Sequence, residues 1–256
     1  MDISTTFMPE SYIVADVVAS PNLDDRKGGA PDMILLHYTG MRDGASALKR
    51  LCAADSKVSA HYVVFEDARI VQCVPEERRA WHAGVSSWAG ETDINSRSIG
   101  IEIVNPGHEF GYPDFPLRQI AAVIALCRSI LTRHKVPPDR ILGHSDVAPA
   151  RKQDPGEKFP WDLLSDSNVG HWVRPAPLSL DGPGVKPGET SEAVRRLQRQ
   201  LRSYGYGIDE TGSYGEDTRI VVDAFQRHFR PQRVDGIADA STLMTLHSLI
   251  ETRPVA

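Results

Sequence analysis

The sequence predicts an α/β domain followed by a small all-helical one, and three observations carry that prediction. Short apolar, β-branched runs alternate with segments of helical spacing over residues 30–143. A break follows at 173–189, where Pro175, Pro177, Pro183 and Pro187 interleave with Gly182, Gly184 and Gly188, a composition that resists helix and strand alike. Three further segments of helical periodicity come after it. The expected organisation is a main domain over 1–172, a linker over 173–189 and a small three-helix domain over 190–256.

Each element rests on its own pattern. Met33 to Leu36 is a continuous apolar run leading into His37, the signature of a strand buried on both faces. Gly44 to Ala54 has helical spacing. His61–Phe65 and Ile70–Val74, joined by the polar Glu66–Arg69, predict a hairpin. Ile99 to Val104 alternates, placing Ile99, Ile101 and Ile103 on one face and Gly100, Glu102 and Val104 on the other. A long helix begins near Pro116, with Ile120, Val123, Ile124, Cys127, Ile130 and Leu131 on its apolar side and Pro137-Pro138 beyond its end. Arg140 to Gly143 is a short strand that delivers His144. In the C-terminal part, Val194/Leu197/Leu201, Ile220/Val221/Ala224/Phe225 and Leu243/Leu246/Leu249/Ile250 mark three helices. The dipeptides Leu197-Gln198 and Phe225-Gln226 suggest an internal repeat of about 28 residues.

Composition narrows the function classes. With 41% hydrophobic and 25% charged residues the chain is an ordinary globular protein, and a formal net charge of −5 without a basic run excludes a nucleic-acid footprint. Cys52, Cys73 and Cys127 are odd in number and widely spaced, which argues for buried thiols rather than a disulfide framework or a cysteine metal site. No stretch approaches the ~20 apolar residues of a membrane span. The N-terminal Met-Asp-Ile-Ser-Thr-Thr lacks basic and apolar signal regions, pointing to the cytoplasm, with the periplasm as the alternative if a signal or anchor has been removed. Oligomeric state is open.

Several residues carry candidate chemistry. A hydrolytic zinc site needs three protein ligands and an open position, and His37, His144 and Asp154 stand at or just beyond the ends of predicted elements. In a chain with 9 histidines, each of them taken alone also fits a structural role. Glu102 is a carboxylate within an apolar strand. Burial would raise its pKa toward the range of a general base, whereas exposure on the polar face or a structural ion pair would not. Lys152, two residues before Asp154, either aims an ammonium at a developing oxyanion or is solvated on the surface.

Five segments occur in order: Leu35-Leu36-His37-Tyr38-Thr39, Val58-Ser59-Ala60-His61-Tyr62, Ala80-Trp81-His82-Ala83-Gly84, Ser98-Ile99-Gly100-Ile101-Glu102, and Gly143-His144-Ser145-Asp146 through Lys152-Gln153-Asp154-Pro155-Gly156. Together they resemble the zinc N-acetylmuramoyl-L-alanine amidases of the AmpD and AmiD type over about residues 30–165. The resemblance implies a mixed β-sheet flanked by helices, shared with peptidoglycan recognition proteins. It also implies Zn2+ held by His37, His144 and Asp154, with Glu102 as acid/base and Lys152 stabilising the oxyanion. The bond implied joins N-acetylmuramic acid to L-alanine in peptidoglycan or anhydro-muropeptides. Trp81 and His82 are candidates for lining the substrate groove, and Lys57 for meeting a peptide carboxylate, although a lysine lacks the bidentate fork of an arginine. His61 matches a motif position without being a ligand. Leu197-Gln198, Ala224-Phe225-Gln226 and Asp235-Gly236-Ile237 through Thr242 resemble the three-helix peptidoglycan-binding domain of wall hydrolases. A non-catalytic binder of wall fragments with the same fold is the competing reading. A zinc peptidase is the other, without an HExxH motif in its favour.

Overall fold

The computed structural model, which describes residues 7–254, has eight short strands, the longest of them formed by apolar, β-branched runs. They are β1 (Asp16–Val17), β2 (Leu23–Asp25), β3 (Met33–Tyr38), β4 (Tyr62–Val64), β5 (Ile70–Gln72), β6 (Arg78–Ala80), β7 (Ser98–Ile103) and β8 (Ile141–Gly143). Six of them make a mixed sheet in the order β1-β5-β4-β7-β3-β8, and β2 pairs with β6 in a separate two-stranded sheet. The predicted hairpin is the antiparallel β4–β5 pair, whereas β4–β7 and β3–β7 run parallel. The chain divides into two units, residues 7–84 with 93–142 and residues 85–92 with 143–254.

In the first unit β3 and β7 form the longest ladder, pairing Met33 to Tyr38 with Ser98 to Ile103. Alternation sets Ile99, Ile101 and Ile103 on one face of β7 and Gly100, Glu102 and Val104 on the other, with exposure and burial of Glu102 both open. Ile99, Ile101 and Ile103 are buried, but so are Gly100 and Val104 on the other face, and Glu102 alone in the strand is only half-buried. A strand flanked on both edges in a parallel arrangement is covered on both faces, and only Glu102 keeps part of its surface open. The predicted helices are α1 (Gly44–Leu51), capped by the Asp43 carboxylate on the Ser46 N–H, and α3 (Leu117–Arg133), which starts just after Pro116. Between them α2 (Ile94–Arg97) is a single turn. Gln119 of α3 is fully buried and its amide donates to the Val64 and Val104 carbonyls, tying the helix to β4 and the end of β7. All three cysteines are free thiols. Burial pushes the Cys127 thiol up to about 12.

The second unit contains α4 (His144–Val147), α5 (Trp161–Asp166), α6 (Glu192–Tyr204), α7 (Glu216–Phe229) and α8 (Ala240–Glu251). The internal repeat has a physical basis. Gln198 and Gln226 are both buried, and each amide reaches the loop beyond its own helix. Gln198 donates to the Ser213 carbonyl and Thr218 hydroxyl and accepts from the Gly212 N–H. Gln226 donates to the Ile237 carbonyl and Thr242 hydroxyl and accepts from the Gly236 N–H. One glutamine per repeat therefore satisfies a turn that apolar packing alone would leave with unpaired polar groups. The proline- and glycine-rich segment is hydrogen-bonded to this module: the Ala176 N–H donates to Thr245 Oγ1 of α8 at 3.0 Å and the Val185 N–H to the Ala238 carbonyl, just before α8, at 2.9 Å. Among the described residues no helix is long and apolar enough to cross a membrane.

Candidate active site

His37 and Glu102 are register partners on β3 and β7, so both side chains leave the sheet on the same face. His37 is 1% exposed. Its Nε2 lies 3.1 Å from Nδ1 of His82, and the two rings meet edge to face at 5.1 Å. His82 reaches this position because residue 100 has no side chain: a Cβ on Gly100 would stand 2.5 Å from the His82 ring. A glycine inside a strand marks such a close approach. Asn95 aligns the His82 segment by accepting from the backbone N–H groups of His82 and Ala83.

His61 lies beside this group and does different work. It is fully buried, accepts the Gly100 N–H at Nδ1 (2.9 Å) and turns Nε2 toward the Arg78 carbonyl (3.0 Å) and the Arg26 guanidinium (3.0 Å). Burial first, and then the Arg26 charge, lowers its pKa to about 3, so it is a neutral structural imidazole. Arg26 also donates to the carbonyls of Glu76, Asn95, Ser96 and Ser98, joining segments that the sequence keeps far apart.

Two more candidate ligands lie in the second unit. His144 opens α4 directly after β8, and its Nδ1 is 3.1 Å from Oδ2 of Asp154. The Ser145 N–H donates to the Asp154 carbonyl at 2.9 Å, so the ligand loop is tied to the helix turn by its backbone as well. His37, His144 and Asp154, all buried, form a group whose ligand atoms lie within 4.8 Å of one another and which could hold a metal ion. The donor chemistry fits zinc, since two imidazoles and one carboxylate are a common hydrolytic set. Ligand atoms on a tetrahedral zinc at ~2.0–2.2 Å stand roughly 3.3–3.6 Å apart, close to the His144–Asp154 separation.

Lys152 is half-buried, with its N–H on the Ala148 carbonyl at 3.0 Å, two residues before Asp154. Trp81 is half-buried, and its indole N–H donates to the Asp24 carboxylate at 2.8 Å. His82 is buried against His37 rather than solvated. Lys57 is exposed on a turn with φ of 56°. The contact between His82 and His37 has one local signal in the sequence, Gly100 within an apolar strand. Asp146 carries no local signal of a role in the sequence. That residue is fully buried one turn after Gly143.

Comparison with known proteins supplies a family context. Residues 27–157 match the family profile Amidase_2, N-acetylmuramoyl-L-alanine amidase, and residues 190–246 match a peptidoglycan binding domain profile. The N-acetylmuramoyl-L-alanine amidase AmiD of Escherichia coli is 36% identical over 231 residues, 86% of this chain and 82% of that protein. The solved complex of that AmiD with the substrate anhydro-N-acetylmuramic acid-L-Ala-D-γ-Glu-L-Lys superposes with a TM-score of 0.74 at 34% identity, covering 89% of this chain and 92% of the other. AmpDh3 of Pseudomonas aeruginosa in complex with anhydromuramic pentapeptide matches with a TM-score of 0.72 at 30% identity, over 100% of this chain and 99% of that one.

Proposed function

The chain belongs to the N-acetylmuramoyl-L-alanine amidase family, and from that premise we propose that it is a zinc amidase cutting the bond between N-acetylmuramic acid and L-alanine in peptidoglycan or anhydro-muropeptides. The observation that carries the reading is the group of His37, His144 and Asp154, three buried donors with the chemistry of a hydrolytic zinc site. Residues 1–172 are assigned to catalysis and 190–256 to attachment to the wall, with 173–189 connecting them.

Zinc held by these residues supplies Lewis-acid polarisation of the scissile carbonyl and acidifies water. Glu102, set by the β3–β7 ladder on the same face as His37, accepts the proton of the attacking water and passes it to the departing L-alanine nitrogen. The Lys152 ammonium meets the negative charge that develops on the carbonyl oxygen, an interaction of the kind worth ~3 kcal/mol. His82 fixes the orientation of the His37 ring, as outer partners of metal-binding histidines commonly do. Lys57 and Trp81 are assigned to the substrate groove.

Elemental analysis of the freshly purified chain, with mass spectrometry of soluble anhydro-muropeptides and of intact sacculi after incubation, tests the proposal. The expected result is about one zinc per chain and release of peptides beginning with L-alanine. Uncut muropeptides bound by a zinc-free chain would establish the binding protein instead, and cleavage inside the stem peptide would establish a peptidase.

A further inference from the structure

The helices of the C-terminal module reach the turn that carries His144. Asp146 has no solvent exposure, and its carboxylate accepts three hydrogen bonds. One comes from the Gly143 N–H at 2.8 Å, within the turn itself. The other two come from the module: the Tyr206 hydroxyl, just past α6, at 2.7 Å, and Nδ1 of His228 on α7, also at 2.7 Å. The surroundings hold these donors firmly. The His228 ring is stacked between Trp161 and Phe229, each with a centroid separation of 3.7 Å, and Tyr206 meets Trp88 edge to face at 4.9 Å. Burial and the Asp146 carboxylate keep the Tyr206 phenol well above its ordinary pKa, so it stays a donor. The turn is coupled in turn to the second ligand in this unit: Ser145 binds the Asp154 carbonyl, and a Cβ on Gly143 would stand 2.7 Å from Cδ of Pro155.

We propose that Asp146 is a positioning residue through which Tyr206 and His228 of the C-terminal module hold His144 and Asp154 in their metal-binding posture. The module is then part of the metal centre's support as well as an attachment domain. A buried carboxylate stripped of two of its donors is costly, and the turn relieves that cost by opening toward water. Opening by a few tenths of an ångström is enough to loosen a metal site whose ligands must be held closely. The proposal rests on the zinc reading of His144 and Asp154.

The test uses the full chain and compares two ways of losing buried donors. Tyr206→Phe combined with His228→Leu removes both module donors to Asp146. Tyr214→Phe is the control: it removes a buried phenol bond of the same kind, to the Gly236 carbonyl, that does not touch α4. Zinc retention against a chelator and amide hydrogen exchange at residues 143–148 are measured below the melting temperature of every variant. The double variant is expected to lose zinc at roughly tenfold lower chelator concentration and to exchange faster at 143–148, while Tyr214→Phe behaves as wild type. His228→Asn, whose amide N–H takes the place of the imidazole donor, is expected to restore both readouts relative to His228→Leu. A double variant indistinguishable from Tyr214→Phe in both measurements overturns the proposal while leaving zinc in the wild type. A wild-type chain without zinc overturns the metal reading beneath it.

Discussion

His37 and His144 are both buried imidazoles at the carboxyl ends of short strands, yet the backbone around each is secured differently. His37 stands inside a six-residue ladder whose partner strand, β7, is itself paired with β4. Its place is set by repeated backbone hydrogen bonds, and no single side chain is needed to define it. His144 opens a four-residue turn with too few internal hydrogen bonds to hold itself. That turn depends on individual partners: the Asp146 carboxylate, the Asp154 carbonyl on Ser145, and the Ser87 N–H on the Val147 carbonyl at 2.8 Å. Redundant ladders keep the backbone in place when a side chain is replaced, so a substitution there acts through side-chain chemistry and packing. A singly held turn converts a substitution into a displacement.

The largest effect expected from this contrast is on the ladder side. Glu102→Ala should lower hydrolysis of a MurNAc-peptide by about 10²–10⁴-fold, the range for loss of a general acid/base, with zinc content and melting temperature preserved. Loss of zinc or unfolding in that variant would show that the ladder does not isolate Glu102 from placement. Next comes acid sensitivity. His61 takes up a proton near its ordinary value of 6.5 in the unfolded chain but only at about 3 in the fold. Unfolding therefore binds a proton throughout that interval, so the contribution is complete above about pH 6.5 and is lost as pH falls toward 3, on the order of a few kcal/mol. Melting curves from pH 7 to pH 4 should show wild type losing stability more steeply than His61→Gln, and parallel slopes would contradict this. The smallest effect is at Gly100. An added methyl in Gly100→Ala meets the His82 ring and should cost ~1–3 kcal/mol, the usual range for overpacking. Because His82 bears on His37, the same variant should also hold zinc less tightly. A lowered melting temperature with unchanged zinc retention would separate His82 from the metal site.

Much of the architecture was legible because its signals are local. The apolar run before His37, the β4–β5 hairpin and the helix after Pro116 each declare themselves within a short window of residue spacing. The candidate ligands were legible by another route, the order of five motifs, because individually each histidine or carboxylate has an ordinary structural alternative. His61 shows why that matters: it occupies a motif position beside the site and is held neutral by burial and Arg26. The setting of Glu102 was not legible, since alternation separates the two faces of β7 without saying what covers either; Gly100 and Val104 beside it are buried and Glu102 is half-buried.

Periodicity, turn chemistry and motif order, all readable along the chain, determined that this protein has a mixed-sheet amidase domain, a repeated helical module and a set of two imidazoles and one carboxylate. Tertiary structure alone decided which polar groups hold those side chains. His82 meets His37 from 45 positions away, and Tyr206 and His228 reach Asp146 from 60 and 82 positions away. Such bonds leave no periodic trace, because they depend on where the chain returns after folding. Burial then makes them decisive, since a carboxylate cut off from water must find its donors in the protein.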